Sequence, residues 1–137
     1  MDIKTKKCVV IIDDELPIGL MVNTAMIMGL TLGKMHPELI GDNVLDQDRK
    51  NHLGITEYPI PVLKANKALL KEIREKTYDL DLTVVDFSDI AQSCKDYEDY
   101  IIKMKCCSSD QLQYLGLAIY GDKKKLNKLT GNMPLLR

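Results

Sequence analysis

Carboxylates follow two of the strands that the sequence predicts. Asp13, Asp14 and Glu15 follow the first apolar run, KCVVII, and Asp86 follows the third, LDLTVV. Two carboxylates that lie close together raise the pKa of one of them, and such a pair can act as acid and base in hydrolysis. The alternative is that these acids cap helices or face water. A crevice shared by Asp14 and Asp86 is one hypothesis, and it requires the two strands to be parallel neighbours.

Two further polar side chains are candidates for a site. Asn23 lies in a nearly all-apolar stretch, so we expect it to be buried and hydrogen-bonded to a loop backbone or to a ligand. His52 lies in the polar segment 36–58, the longest predicted loop, where a histidine can serve as a general base near neutral pH or simply pack within the loop. The sequence offers no nucleophile at a recognisable spacing from His52.

The sequence predicts neither a metal site nor a bound cofactor. Its four cysteines show no CxxC spacing, and Asp42, Asp46 and Asp48 lack the glycine and the distal glutamate of a calcium loop. No Walker loop, GxGxxG or GxSxG occurs. We therefore expect free cysteines and no nucleotide bound by a glycine-rich loop.

The charge balance argues against a nucleic-acid partner. Lys and Arg number 19 against 20 Asp and Glu, and no aromatic ladder accompanies the basic residues. The apolar stretch from Leu16 to Leu32 contains Pro17, Asn23 and two glycines, so we expect a helix buried in a core rather than a membrane span. The acids that follow the first apolar run argue against a signal peptide, so we expect a cytoplasmic protein.

The 137 residues predict one domain, residues 1–137. Strands are expected at KCVVIID, YPIPVLK, LDLTVVDF and QYLGLAIYG, with the prolines placing the second at a sheet edge. Helices are expected at about Gly19 to Leu32 with Gly33 as the stop, and at ANKALLKEIREKTYD, DIAQSCKDYEDYIIKMK and DKKKLNKLTG. This alternation predicts an α/β fold with a largely parallel sheet, whose ligand lies at the carboxyl ends of the strands.

The C-terminal stretch LGLAIYGDKKKLNKLTGNMPLL resembles the closing strand and helix of type 2 peptidyl-tRNA hydrolases. The whole chain, including DELPIGLMVNTA and YPIPVLKA, more closely resembles an uncharacterised bacterial family of that superfamily. The resemblance implies a mixed four-stranded sheet flanked by helices, and often a homodimer. It also implies a site near Gly19 and Asp86, which match or lie near family positions.

The site implied by the resemblance lacks the cations of the hydrolases. Leu20 and Val22 stand where lysines are expected, and a cation beside the ester is what stabilises the developing charge. The first hypothesis is therefore a non-hydrolase that binds a small molecule, a peptide or a protein near Asp14, Gly19, Asn23 and Asp86. The alternative is a hydrolase of peptidyl-tRNA or a related acyl ester that uses Asp86 and His52. A third is a purely structural protein that works through its dimer surface.

Overall fold

The computed structural model describes residues 5–137. The strands are β1 (Lys6–Asp13), β2 (Val44–Leu45), β3 (Asn51–His52), β4 (Val62–Ala65), β5 (Leu82–Ser88) and β6 (Tyr114–Asp122). The helices are α1 (Ile18–Met35), α2 (Lys67–Thr77), α3 (Asp89–Ser93), α4 (Tyr97–Lys105) and α5 (Lys123–Thr130). The segment 36–58, expected to be an irregular loop, contains a short 3-10 helix at Pro37–Leu39 and the β2–β3 hairpin.

A mixed four-stranded sheet forms the centre, in the order β4-β1-β6-β5. β1 runs parallel to β4 and antiparallel to β6, and β5 is antiparallel to β6. The mixed sheet is confirmed, and the largely parallel sheet expected from strand–helix alternation is wrong. The reason is that Tyr114 of β6 pairs with Ser88 at the end of β5, so the connection carrying α3 and α4 returns to the same end of the sheet.

The sheet buries a different apolar set on each face. Along β1, Val10 and Ile12 join the core beneath α1, whereas Val9 and Ile11 join the core beneath α2 and α5. This alternation is the period-two pattern of a strand covered on both sides. β4 is an edge strand, as its prolines predicted, and the C-terminal tail covers it through the hydrogen bond from Leu136 N to Val62 O, 2.8 Å long.

Helix ends show where local sequence signals hold and where they fail. Asn66 and Asp122 cap α2 and α5 by accepting from Leu69 N and Lys125 N, and Gly131 ends α5 as expected. The single helix expected over DIAQSCKDYEDYIIKMK is instead two, because Asp96 caps a new helix by accepting from Asp99 N at 2.8 Å.

Helix α1 differs most from expectation. It runs past Gly33 to Met35, and its buried residues are Thr24, Met28 and Leu32. By length and composition it is apolar enough to cross a membrane, yet 17% of it is buried against the protein. The predicted fully buried helix is therefore wrong: α1 packs on the sheet along one stripe and presents an apolar outer face to solvent.

Cys8 is fully buried on β1, and burial raises the pKa of its thiol from 9.0 to about 12. The thiol therefore ionises more readily in the unfolded chain, so stability is intact below pH 9 and falls as pH rises toward 12. We expect urea denaturation to show a loss in the free energy of unfolding between about pH 8 and about pH 10, of which Cys8 contributes about 1.4 kcal/mol. Cys8→Ala should remove this part of the slope and leave the smaller part from Tyr114 and Tyr120, whose pKa values burial raises to about 12, whereas substitution of the exposed Cys106 should retain the whole slope. An unchanged slope in Cys8→Ala would contradict the assignment.

Candidate functional site

An open cavity of about 910 Å³ lies between α1 and the β4 edge of the sheet. The wall formed by α1 consists of Ile18, Met21, Val22, Ala25 and Met26. Ile12, Val62 and Leu136 form part of the facing wall, and Leu16 closes the end near the β1–α1 turn. Because β1 and β4 are parallel, the cavity lies where their carboxyl ends meet, which is the usual ligand position in α/β sheets.

Three charged residues border this apolar cavity: Asp14, Lys64 and Arg137. Lys64 pairs with Ile12 across the sheet and therefore lies on the face that carries α1. Within residues 5–137, the side chains of Lys64 and Arg137 take part in no ion pair. The arrangement is a mostly apolar volume with two available cations and one carboxylate at its border.

The β1–α1 turn is held by a buried carboxylate. Asp13 is fully buried, and its Oδ1 accepts a hydrogen bond from Glu15 N at 3.0 Å. Its Oδ2 forms an ion pair with Nζ of Lys67, 3.0 Å away, and has no well-directed hydrogen bond among the described residues. The close contact with the Asp13 carboxylate and the charge of Asp13 raise the pKa of Lys67. Asp13 thereby fixes the turn from which Asp14 and Leu16 reach the cavity.

Asp86 lies elsewhere in the molecule. Its Oδ2 accepts from Nε of Arg74 at 2.9 Å, and the Arg74 guanidinium lies 4.0 Å from the centre of the Tyr78 ring. The structure does not bring Asp14 and Asp86 together, because β6 separates β1 from β5 and Asp86 pairs with α2 on the opposite face. Asp86 instead borders a smaller cleft of about 420 Å³ beside α4.

Gly19 and Asn23 lie next to the cavity without lining it. Both are exposed on the outer side of α1, so the expectation that Asn23 is buried is wrong. The reason is that the residues around Asn23 are apolar but α1 buries only one stripe of them.

His52 is exposed on the β2–β3 hairpin, where its Nε2 lies 2.8 Å from Oδ2 of Asp46. This hydrogen bond lowers the pKa of Asp46. His52 is not among the residues that line the cavity beside Asp14: the hairpin follows the C-terminal end of α1, whereas Asp14 precedes its N-terminal end. Among the described residues, no group of three or more His, Cys, Asp or Glu is placed to hold a metal ion.

Comparison with known proteins gives the family and the fold. The sequence profile described as "Protein of unknown function (DUF2000)" matches residues 6–137. The chain belongs to the DUF2000 family. The DUF2000 chain is similar in structure to a protein of unknown function from Agrobacterium, Atu0240, with a TM-score of 0.88 and 20% sequence identity over 96% of this chain and 97% of that one. At that identity the likeness shows the fold alone. No curated protein matches the chain.

The pairing of Asp13 with Lys67 is the contact in the DUF2000 site that sequence reasoning missed. Its signal is present in the chain: Asp13 ends β1, and Lys67 opens α2 two residues after β4 ends at Ala65. Once β1 and β4 are known to pair at Asp13 and Ala65, the lysine must lie near the acid. Without that register, the two residues are 54 positions apart in the sequence, and no local pattern predicts their contact.

Proposed function

We propose that this DUF2000 protein binds an amphipathic small molecule or a short peptide segment in the cavity between α1 and β4. The observation that carries the proposal is the cavity itself, about 910 Å³ with mostly apolar walls, at the carboxyl ends of β1 and β4. Ligand sites in proteins have volumes of roughly 300–1,000 Å³ and combine apolar walls with a few polar groups. The cavity has both properties.

The charges at the border select the chemistry of the ligand. Lys64 and Arg137 are cations without an ion-pair partner in the described part of the chain, so an anionic group such as a carboxylate would complement them. The apolar part of the ligand would lie against Met21, Ala25 and Val62. Asp14 would accept a hydrogen bond from a donor on the ligand and would disfavour a second anionic group beside it.

We place the fold in the superfamily of the type 2 peptidyl-tRNA hydrolases. Two observations support this: the resemblance of LGLAIYGDKKKLNKLTG to those hydrolases, and the mixed four-stranded sheet. We also propose that the protein is bacterial and cytoplasmic. Cleavage of peptidyl-tRNA, the alternative, has weaker support. Leu20 packs against the core where a lysine is expected, and Asp86 is paired with Arg74. A binding function uses the cavity as it stands. It requires neither a lysine at position 20 nor an unpaired Asp86.

Filling the cavity tests the proposal. The probe is the anionic apolar fluorophore 1-anilinonaphthalene-8-sulfonate, whose emission increases in apolar sites. Ala25→Phe places a ring in the cavity from a half-buried position, and we expect probe binding at least about tenfold weaker. Ala68→Phe is the matched control, because Ala68 is exposed on α2, on the other face of the sheet. Equal binding by wild type and Ala25→Phe would exclude the cavity as the site.

A second pair of measurements tests the charge preference. Lys64→Met keeps the length of the side chain and removes its cation, so we expect weaker binding of the anionic fluorophore and unchanged binding of the uncharged N-phenyl-1-naphthylamine. Lys124→Met serves as the control, since Lys124 is an exposed lysine on α5. A loss of both probes in Lys64→Met would show that Lys64 supports the wall rather than the anionic group.

A further inference from the structure

The outer face of α1 is a row of exposed apolar side chains. Ile18, Val22, Met26 and Leu30 follow one another at intervals of four residues, and each is exposed by 62% to 80%. Lys34 is the single charged residue within the helix. A contiguous exposed apolar face of this kind is typical of a surface that binds a protein partner, a membrane or a ligand.

The sequence of this face reads alike from both ends between Gly19 and Gly33, whereas Ile18 and Lys34, eight residues before and after Met26, differ. Val22 and Leu30 stand four residues before and after Met26, and Gly19 and Gly33 stand seven residues before and after it. Four and seven residues are about one and two helical turns, so all five positions share one side of the helix. At Gly19 and Gly33 an added Cβ would meet nothing within 4 Å, so these positions leave room for close approach by another backbone.

We propose that two copies of this chain pair through α1, antiparallel, with Met26 on the two-fold axis. In that arrangement Met26 meets Met26, Val22 of each copy meets Leu30 of the other, and Gly19 meets Gly33. A two-fold interface requires such self-complementarity, because the same patch contributes to both sides. The near-symmetry of the face about Met26 supplies it.

The charges favour the antiparallel direction. Asp14 and Glu15 precede the N-terminal end of α1 and are exposed, and Lys34 lies near its C-terminal end. Antiparallel pairing brings Lys34 of one copy toward the acids of the other, whereas parallel pairing would set lysine beside lysine and acid beside acid. Like charges placed opposite one another in an interface oppose association.

Dimerisation would also complete the cavity. Val22 and Met26 form part of its α1 wall, so the helix of the second copy would lie across its open side. Leu30 of that copy would then add an apolar surface at the mouth, and Lys34 a third cation. The dimer does not depend on a ligand, and it can form whether or not the cavity binds one.

Charge substitutions at the axis test the arrangement. Met26→Glu places two carboxylates against each other in the dimer and Met26→Lys places two ammonium groups, so each variant alone should dimerise at least about a hundredfold more weakly than wild type by sedimentation velocity. An equimolar mixture of the two variants should recover dimers. A residue on the two-fold axis faces the same residue of the other copy, so a mixed dimer places a carboxylate against an ammonium group. Ile102→Glu is the matched control: Ile102 lies on α4 and, like Met26, is 62% exposed.

Two outcomes would overturn the proposal. One is a wild-type chain that stays monomeric without added probe; if that monomer floats with phosphatidylglycerol vesicles, the face is assigned to a membrane surface. The other is a mixture of the Met26 variants that stays monomeric although the wild type dimerises, since the axis would then lie elsewhere. Ala25→Phe and Lys64→Met separate this proposal from that of the cavity, because Ala25 and Lys64 line the cavity but lie outside the row: both variants should dimerise as the wild type does even where probe binding is lost.

Discussion

Replacing Lys67 by methionine is expected to lower the free energy of unfolding by about 3 kcal/mol. The reason is the carboxylate that remains: Asp13 is 0% exposed, and without the ammonium its side chain retains, among residues 5–137, only the hydrogen bond from Glu15 N. Removing one partner of a buried ion pair costs roughly 3–5 kcal/mol, and the low end applies because the Lys67 side chain is 45% exposed. Urea denaturation measures the change.

A double variant separates the charge from the packing. Asp13→Asn combined with Lys67→Met removes both charges, so no isolated carboxylate remains and we expect a smaller loss than in Lys67→Met alone. Lys124→Met again controls for the loss of an exposed lysine, and it should change the stability by no more than about 0.5 kcal/mol. If the double variant were less stable than Lys67→Met, the ion pair would not be the reason for the loss.

The same pair predicts a dependence on alkaline pH. The pKa of Lys67 is raised in the folded chain, so its contribution is fully present below the pKa of the unfolded lysine, about 10.4. It is lost as pH rises through the higher pKa of the folded state. Lys67→Met should not show this loss of stability, which begins at a higher pH than the loss caused by ionisation of Cys8.

Local signals in the sequence located most elements, and long-range pairing explains most of what they missed. Asn66 and Asp122 cap helices through hydrogen bonds to residues three positions away, so neighbouring residues suffice to predict them. The direction of β6 depends on where the connection after β5 returns, and the Asp86–Arg74 pair depends on how α2 packs on β5. Neither is visible in a short window of sequence.

The candidate site was predicted only in outline. The sequence predicted a ligand at the carboxyl ends of the strands, and the structure has a cavity there that Asp14 lines. The apolar wall of α1 was not predicted, because a helix that is apolar all round is normally buried on every side. On α1 the apolar residues instead serve two purposes: Met28 and Leu32 enter the core, and the row centred on Met26 remains outside.

The contact between α1 and β6 allows a second large effect to be predicted. At Gly116 an added Cβ would lie 2.9 Å from both Met28 Cε and Thr24 Cγ2 and 3.0 Å from the backbone oxygen of Ile11. The methionine end can move, but the backbone oxygen cannot move without disturbing β1. We therefore expect Gly116→Ala to lower the free energy of unfolding by about 2 kcal/mol.

A glycine on α1 itself provides the contrast. At Gly29 an added Cβ would meet nothing within 4 Å, and alanine favours a helix more than glycine does, so Gly29→Ala should raise the stability by up to about 1 kcal/mol. The stabilities of both variants are best compared in the Met26→Glu background, where dimerisation does not enter, and their probe binding in the wild-type background, because Met26 lines the cavity. Because α1 forms one wall of the cavity, Gly116→Ala should also weaken binding of the anionic fluorophore, whereas Gly29→Ala should not. Equal effects of the two substitutions on stability would mean that β6 does not hold α1 by this close contact, and the position of the cavity wall would need another cause.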